Sequence, residues 1–341
     1  MKGVLLMNLG SPDSTDTKDV RRYLNEFLMD EKVIDVNYLL RLFLVKGIIV
    51  PFRAPKSAHA YKTIWTKEGS PLTVLTKQLQ QAVEQKINLP VEIAMRYGNP
   101  HPARAFEQLM KRVNGLDEVI LFPLYPHYAM SSYETAVEYA QQIHQQKKYP
   151  FKLTVVEPYY NNVHYIHALA ESIKPFLQNG FDKLLFSYHG VPERHIKKGD
   201  TTKQHCLQVN DCCNVLSQAH AKCYRHQTFV TTNLVTEELN LPEEKFEQTF
   251  QSRLGKDEWL KPYTAQRLEA LPKEGIKKLV VVCPAFVSDC LETLEEIAIQ
   301  GKEIFLNAGG ESYTVVPCLN VNSLWVDVVI KLMNEKMGDR S

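Results

Sequence analysis

The chain has 341 residues, 44% of them hydrophobic, and sets 40 Lys and Arg against 39 Asp and Glu for a net charge of +1. That length suffices for two ordinary domains, and the balanced charge excludes the basic field of a nucleic-acid-binding protein. No apolar run reaches the ~20 residues needed to span a bilayer, the N-terminus lacks a signal-peptide pattern, and the seven cysteines do not read as a disulfide framework, so the expected compartment is the cytoplasm.

The N-terminal Lys2-Gly3-Val4-Leu5-Leu6-Met7 opens a first strand near 3–10. Three more are predicted near 91–98, 118–126 and 152–159, and a second set near 182–190, 245–253, 277–287 and 312–320. Helical periodicity fills most of the intervals, as in Ala103 to Val113, Tyr133 to Gln146 and Ile166 to Leu177. Repeated strand–helix alternation implies parallel sheets covered on both faces. The reading is an α/β chain of two halves, each a four-stranded parallel sheet flanked by helices. The halves divide at Gln178-Asn179-Gly180 into domains 1–178 and 179–341, each closed by a helix, near 163–178 and near 322–337.

After the first strand, Asn8-Leu9-Gly10-Ser11-Pro12 has one glycine where a dinucleotide fingerprint needs three. No nucleotide cofactor is expected. An excursion over about 11–90 follows. It holds the apolar run Val36 to Pro51, in which Arg41 and Lys46 are the only cations. The run is either a helix buried on the sheet or an exposed apolar lip that holds a large flat ligand or touches a membrane surface.

The second half begins with Leu184-Leu185-Phe186-Ser187-Tyr188-His189-Gly190-Val191-Pro192. It places an imidazole where a strand ends, the position at which open α/β sheets bind ligands. A histidine there can take a proton or a metal near neutral pH; otherwise it merely caps the strand. Its acidic counterpart is Val280 to Glu296, a strand, a loop and a helix. Asp289 is placed to cap that helix and Glu292 to close a capping box. Asp289, Glu292 and Glu296, spaced i, i+3, i+7, then share one helical face. Such a ridge is either a polar channel in which some carboxylates hold protons or a solvated face set against the helix dipole.

Cys206, Cys212, Cys213 and Cys223 follow the pattern C-x5-C-C-x9-C in an insertion at about 203–227. Four such thiolates suit zinc or an iron–sulfur cluster, or they are reduced packing thiols. His205, His220 and His226 lie in the same segment; they are alternative ligands or, as preferred here, scattered surface histidines.

These segments together resemble the ferrochelatase family. Leu184 to Pro192, followed by Lys198-Gly199-Asp200, is similar to the family signature, and Phe286 to Leu294 to its second active-site segment. Asn8 to Pro12, Trp65 to Leu72, Arg96-Tyr97-Gly98, Tyr125 to Tyr128, Phe250 to Gly255 and Trp259-Leu260 match in order, so the resemblance covers nearly the whole chain. It implies two Rossmann-like, chelatase-type domains with a porphyrin held in a cleft between them. It implies a lyase of haem biosynthesis that inserts its substrate Fe2+ into protoporphyrin IX and releases two protons. His189 takes the place of the family histidine, as proton acceptor or iron carrier, and Glu292 that of the catalytic acid. Asp289 and Glu296 extend the path for protons or iron. Leu9, Arg96, Tyr97, Tyr125, Trp259 and Phe286 become the porphyrin wall, with Arg96 reaching a propionate or lining the path of the metal.

The resemblance also implies a [2Fe–2S] cluster on Cys206, Cys212, Cys213 and Cys223, since some bacterial members carry such ligands internally. Members acting on coproporphyrin III carry a Tyr in the first loop; Asn8-Leu9 here favours protoporphyrin IX. Gly199-Asp200-Thr201-Thr202 departs from the family's Gly-Asp-Pro-Tyr, which affects the local loop rather than the histidine. Peripheral contact at the inner face of the membrane is compatible with the apolar lip. The competing readings are coproporphyrin III or another divalent metal as substrate, a non-catalytic tetrapyrrole carrier, and an α/β oxidoreductase with an iron–sulfur centre. The missing glycine fingerprint argues against the last, and the acidic ridge against the carrier.

Overall fold

The computed structural model describes residues 1–253, 255 and 257–338. Eight strands form in two sets: β1 (Lys2–Asn8), β2 (Val91–Met95), β3 (Glu118–Pro123) and β4 (Lys152–Val155), then β5 (Lys183–His189), β6 (Phe246–Gln251), β7 (Lys278–Val282) and β8 (Ser312–Val315). The first sheet runs β2-β1-β3-β4 and the second β6-β5-β7-β8. Every pairing is parallel. Both sheets therefore have one strand order, as the two-half reading expects. The strands are apolar runs because both faces are covered: Val4 to Met7 and Leu184 to Phe186 are all 0% exposed. Leu254, part of the Phe250–Gly255 motif, lies outside the described residues.

The chain divides into two compact units, and their boundaries differ from a single cut at 178. One unit comprises Met1–Leu124, Met130–Glu157 and the segment from Asn320 onward; the other comprises Tyr125–Ala129 and Pro158–Leu319. Each closing helix thus belongs with the other half's sheet. The helix Ser323–Met337 buries Trp325, Val326, Val328, Val329, Leu332 and Met333, and Trp325 meets Phe122 of β3 edge-on at 6.3 Å. A buried apolar side chain contributes about 1.5–3 kcal/mol, so this face commits the helix to the first sheet. The helix Val163–Leu177 joins the second unit, where Tyr165 donates to the Pro284 carbonyl at 3.0 Å. Linear order could not reveal this exchange, because it depends on which sheet face each apolar stripe meets.

In the first unit the excursion forms the helices Thr17–Leu28, Tyr38–Leu42, Val50–Ile64 and Pro71–Lys86, with a π-helical turn at Phe43–Ile49. Leu39, Phe43 and Phe52 are 75%, 63% and 73% exposed while Val45, Val50 and Ala54 are buried, so the run covers the core with one side only and presents apolar side chains on the other. Gly10 has φ +105°, and a Cβ there would lie 1.8 Å from the Tyr97 carbonyl oxygen. Only glycine lets the loop after β1 pass that close.

Candidate active site

In the second sheet the chain leaves β5 toward β6 on one side and later toward β7 on the other. The strand order reverses there, and the crevice outside the carboxyl ends of β5 and β7 is the expected ligand position. His189 is the last residue of β5, and Glu292 follows the turn that leaves β7. Topology alone brings to one end of one sheet two residues separated in sequence.

His189 is partly buried. Its Nδ1 lies 2.6 Å from the Gly190 carbonyl oxygen. A carbonyl only accepts, so Nδ1 is the donor in this contact, and Nε2 is the ring nitrogen left for another partner. The backbone around it is fixed from three sides. Gly190 N–H donates to the Gln251 carbonyl at 2.8 Å, Leu260 N–H to the Val191 carbonyl at 3.1 Å, and the Tyr224 hydroxyl to the His189 carbonyl at 2.9 Å. A Cβ at Gly190 would lie 2.8 Å from the Gln251 carbonyl oxygen and 3.2 Å from the Trp259 ring. The imidazole is bracketed by Trp259 and Phe286, with ring centroids 6.4 and 6.3 Å away. Trp259 is 9% exposed, and its indole N–H has no partner among the described residues.

The acidic element departs from the sequence reading. The helix begins later than expected: Leu291 is its N-cap, with no side-chain cap bond, and Glu292–Gly301 is π-helical. Asp289 is therefore outside the helix, and the single face through Asp289, Glu292 and Glu296 does not form, nor does the capping box. The buried Asp289 carboxylate instead accepts from the Thr293 hydroxyl at 2.9 Å and the Cys318 N–H at 3.4 Å. This ties the loop after β7 to the segment after β8. π-Helical turns are frequent at functional positions.

Glu296 accepts from the Ser252 N–H at 2.9 Å and from the Ser252 hydroxyl. Burial pushes its carboxyl above the ordinary range, against the Ser252 bond and the His189 charge, while neighbouring Glu292 pushes the same way as burial. His189, Glu292 and Glu296 thus form one electrostatic group. Gln251 positions the pair from behind: its Oε1 accepts from the Ser187 hydroxyl at 2.8 Å, and its Nε2 donates to the Glu292 carbonyl at 3.1 Å. Gln251 and Ser252 had no assigned role in the sequence reading. The available signal was register, since Gln251 pairs with His189 across β5 and β6. Ser252 also adopts φ +66°, a sparsely populated conformation that marks functional sites.

The wall residues separate. Leu9 and Phe286 are half-buried and Tyr125 is 8% exposed. Tyr97 is 0% exposed with its hydroxyl 2.7 Å from Asp30, so in this conformation its ring supports the wall without forming its surface. Arg96 does not stand ready for a propionate. It meets the Asp30 carboxylate at 2.5 Å and the Thr135 hydroxyl at 2.8 Å, and it stacks on the Tyr97 and Tyr139 rings at 4.3 and 4.2 Å. Burial alone would push the Asp30 carboxyl up, but the Thr135 bond and the Arg96 charge hold it below its ordinary value. A charge so paired would leave a buried carboxylate alone if it moved.

Cys206, Cys212, Cys213 and Cys223 are all buried and reduced. They lie close enough together for the Cys223 thiol to influence both Cys206 and Cys213. Arg225 donates to Cys213 Sγ at 3.0 Å and reaches Cys212 Sγ at 3.7 Å, while Leu207 N–H and His226 N–H point at Cys212 and Cys223 sulfur. The three histidines are not scattered on the surface. His205 and His220 hydrogen-bond the Cys212 carbonyl and His226 the Cys213 carbonyl, and the His220 and His226 rings stack 3.6 Å apart. Spent on these carbonyls, they brace the Cys212-Cys213 turn. Among the described residues, no group of three or more His, Cys, Asp and Glu side chains is arranged to hold a single metal ion.

Two parallel sheets of this order, with a histidine and a carboxylate pair at the carboxyl end of one, define a chelatase-type α/β protein. The solved structures of SirB from Bacillus subtilis with Fe3+ and of the sirohydrochlorin chelatase SirB from Bacillus subtilis subspecies spizizenii in complex with cobalt share the architecture. Their TM-scores are 0.56 and 0.57, at 12% and 8% identity, covering 98% and 99% of this chain and 95% and 96% of theirs; at such identity the likeness concerns the fold alone. The sequence is closer to other proteins. It is 49% identical to "Ferrochelatase" of Opitutus terrae over 96% of this chain and 95% of that one, and 49% identical to "Ferrochelatase" of Pseudomonas entomophila over 96% of each. The family model described as Ferrochelatase matches residues 1–337, and the chain belongs to the ferrochelatase family. Ferrochelatases insert Fe2+ into a porphyrin in haem synthesis.

Proposed function

We propose that the chain inserts Fe2+ into protoporphyrin IX, with His189 as the base that receives pyrrole protons and Glu292 and Glu296 as the groups that carry them away. The observation that carries this reading is His189, whose Nδ1 is taken by the Gly190 carbonyl, lying within electrostatic reach of Glu296, which Glu292 also influences. Metallation must remove two N–H protons, and a neutral imidazole is suited to accept them. The imidazolium so formed is stabilised by the two glutamates. Glu296, whose carboxyl burial raises above its ordinary range, is the neighbouring group to which such a proton passes. Imidazole and carboxylate also bind Fe2+. The aromatic bracket of Trp259 and Phe286 suits a flat apolar macrocycle, and the half-buried Leu9 suits the vinyl-bearing substrate over a more acidic one. The exposed lip at Leu39, Phe43 and Phe52 supports peripheral contact with a membrane, where an apolar porphyrin partitions.

The four cysteines support a [2Fe–2S] cluster. Such a cluster needs two pairs of thiolates rather than three donors around one ion. The Arg225 guanidinium and the N–H groups of Leu207 and His226 supply the charge and hydrogen bonds that thiolate sulfur requires. Burial raises the Cys206 thiol to about 11, so that sulfur keeps its proton until a cation displaces it. When bound, the cluster would be structural or sensing, because metal insertion involves no net electron transfer.

An anaerobic visible spectrum before and after protoporphyrin IX and Fe2+ tests both parts. Growth of a haem spectrum supports the chelatase, and charge-transfer absorption before addition supports the cluster. Porphyrin binding without haem would point to a carrier.

A further inference from the structure

We propose that Tyr224 is a positioning residue for His189 and that it ties the setting of the catalytic imidazole to the order of the cysteine site. The positioning part rests on His189 acting as the base; the link rests on Cys223 as a ligand.

Tyr224 is 5% exposed and donates its hydroxyl to the His189 carbonyl at 2.9 Å. His189 is the last residue of β5, and the peptide that follows it is held at its two ends, by Gly190 N–H on the Gln251 carbonyl and by the Tyr224 hydroxyl on the His189 carbonyl. The His189 ring nitrogen is spent on the next carbonyl along, that of Gly190. A hydrogen bond to the His189 carbonyl therefore sets the peptide plane that aims Nε2. The donor is held rigidly. Tyr224 opens the helix Tyr224–Glu238, and its ring is packed edge-on against His127 at 5.9 Å. His127 is itself buried and neutral; burial takes its ring down to about 3, and its Nε2 lies 2.9 Å from Thr231 Oγ1 of the same helix.

The residue before Tyr224 is Cys223. It is the N-cap of this helix, and its sulfur accepts the His226 N–H. Whatever holds or releases the Cys223 sulfur sets the first turn of the helix, and that turn carries the hydroxyl that holds His189. The second connection runs along the chain. The short helix Glu193–Gly199 leads from the catalytic loop to Asp200, whose carboxylate accepts N–H bonds from Thr202, His205 and Cys206. The cysteine site therefore touches the His189 segment at both ends without contributing a side chain to the reaction.

The test compares Tyr224→Phe with Thr232→Val in the full-length protein. Thr232→Val removes the 2.9 Å bond to the Tyr188 hydroxyl together with the 2.8 Å bond to Gln248 Oε1. Thr232 is buried and on the same helix, but neither bond reaches His189. Insertion of Zn2+ into protoporphyrin IX, which needs no reductant, gives kcat and KM; NMR of 15N-histidine-labelled protein reports the His189 ring. The expected result for Tyr224→Phe is a kcat roughly tenfold lower with KM nearly unchanged, the outcome of a misaimed group, together with a moved His189 resonance. Thr232→Val should leave both near parent values. Equal losses in the two variants, or an unmoved His189 resonance, would overturn the positioning role. Should Tyr224→Phe fail to fold, Tyr224→His, which keeps a ring donor, must restore more turnover than Tyr224→Leu for the role to stand.

For the link, Cys223→Ser should lower kcat by a similar factor, and the double variant should lose little more than either alone, because both act on one contact. Fully multiplicative losses would overturn the link while leaving the positioning role intact. Absence of charge-transfer absorption in the parent protein would remove the cluster reading and, with it, the link, without bearing on the Tyr224→Phe result.

Discussion

Ser252 gives both its backbone N–H and its hydroxyl to the carboxylate of Glu296, from a backbone held at φ +66°. A strained residue is retained at the end of β6 to hold one oxygen pair of an acidic site. The arrangement partly offsets the burial that raises the Glu296 carboxyl, and it fixes where that carboxylate stands.

A pH dependence follows from that balance. Because the folded Glu296 titrates above its ordinary value of 4.5, the folded protein keeps this proton when the unfolded chain has lost it. The resulting stability is present at acid pH and is lost as pH rises through the folded value. Glu296→Gln removes the slope. Its melting temperature relative to the parent should become more favourable between pH 4 and pH 8, read by scanning calorimetry; an offset constant across that range would contradict the assignment.

Loss of the base should separate binding from chemistry. His189→Ala is expected to keep porphyrin binding, measured by fluorescence quenching, and to lower metal insertion by about 10²–10⁴-fold, the usual contribution of a positioned acid–base group. Glu292→Gln should lower turnover by a smaller factor, since Glu296 remains beside it. Parent-like turnover in His189→Ala would remove the imidazole from the mechanism.

Gly190→Ala should be far more harmful than its chemistry suggests. The added carbon would stand 2.8 Å from the Gln251 carbonyl oxygen and 3.2 Å from Trp259, so the β5 loop must shift and His189 with it. Overpacking of this kind costs about 1–3 kcal/mol. The combination to look for is a lowered melting temperature with turnover reduced beyond what unfolding explains.

The cysteine site has an optical test. Cys213→Ser removes the sulfur nearest Arg225 and should bleach charge-transfer absorption of the anaerobically purified protein, with iron content falling in parallel. An unchanged spectrum would exclude Cys213 as a ligand.

How much of this was legible in sequence depends on the range of the interaction responsible. Local pattern determined the eight strands, their parallel pairing and the two-half plan, because apolar runs between helical segments bury the same way wherever they occur. It also placed His189 at a strand end, since the run Leu184 to Phe186 and the following Gly190-Val191-Pro192 mark that boundary by themselves. Only the tertiary structure decided which sheet each closing helix covers, because the apolar stripe of Ser323–Met337 can meet either. The same holds for Arg96, whose charge was open until Asp30 was found beside it, and for Asp289, left outside the helix when the turn at Glu292 widened to π. Gln251 and Ser252 lie in the Phe250–Gly255 motif but had no role read from it, and Tyr224 lies in no motif. Their roles come from side chains and backbone groups many residues away, which chain folding alone brings within hydrogen-bond reach.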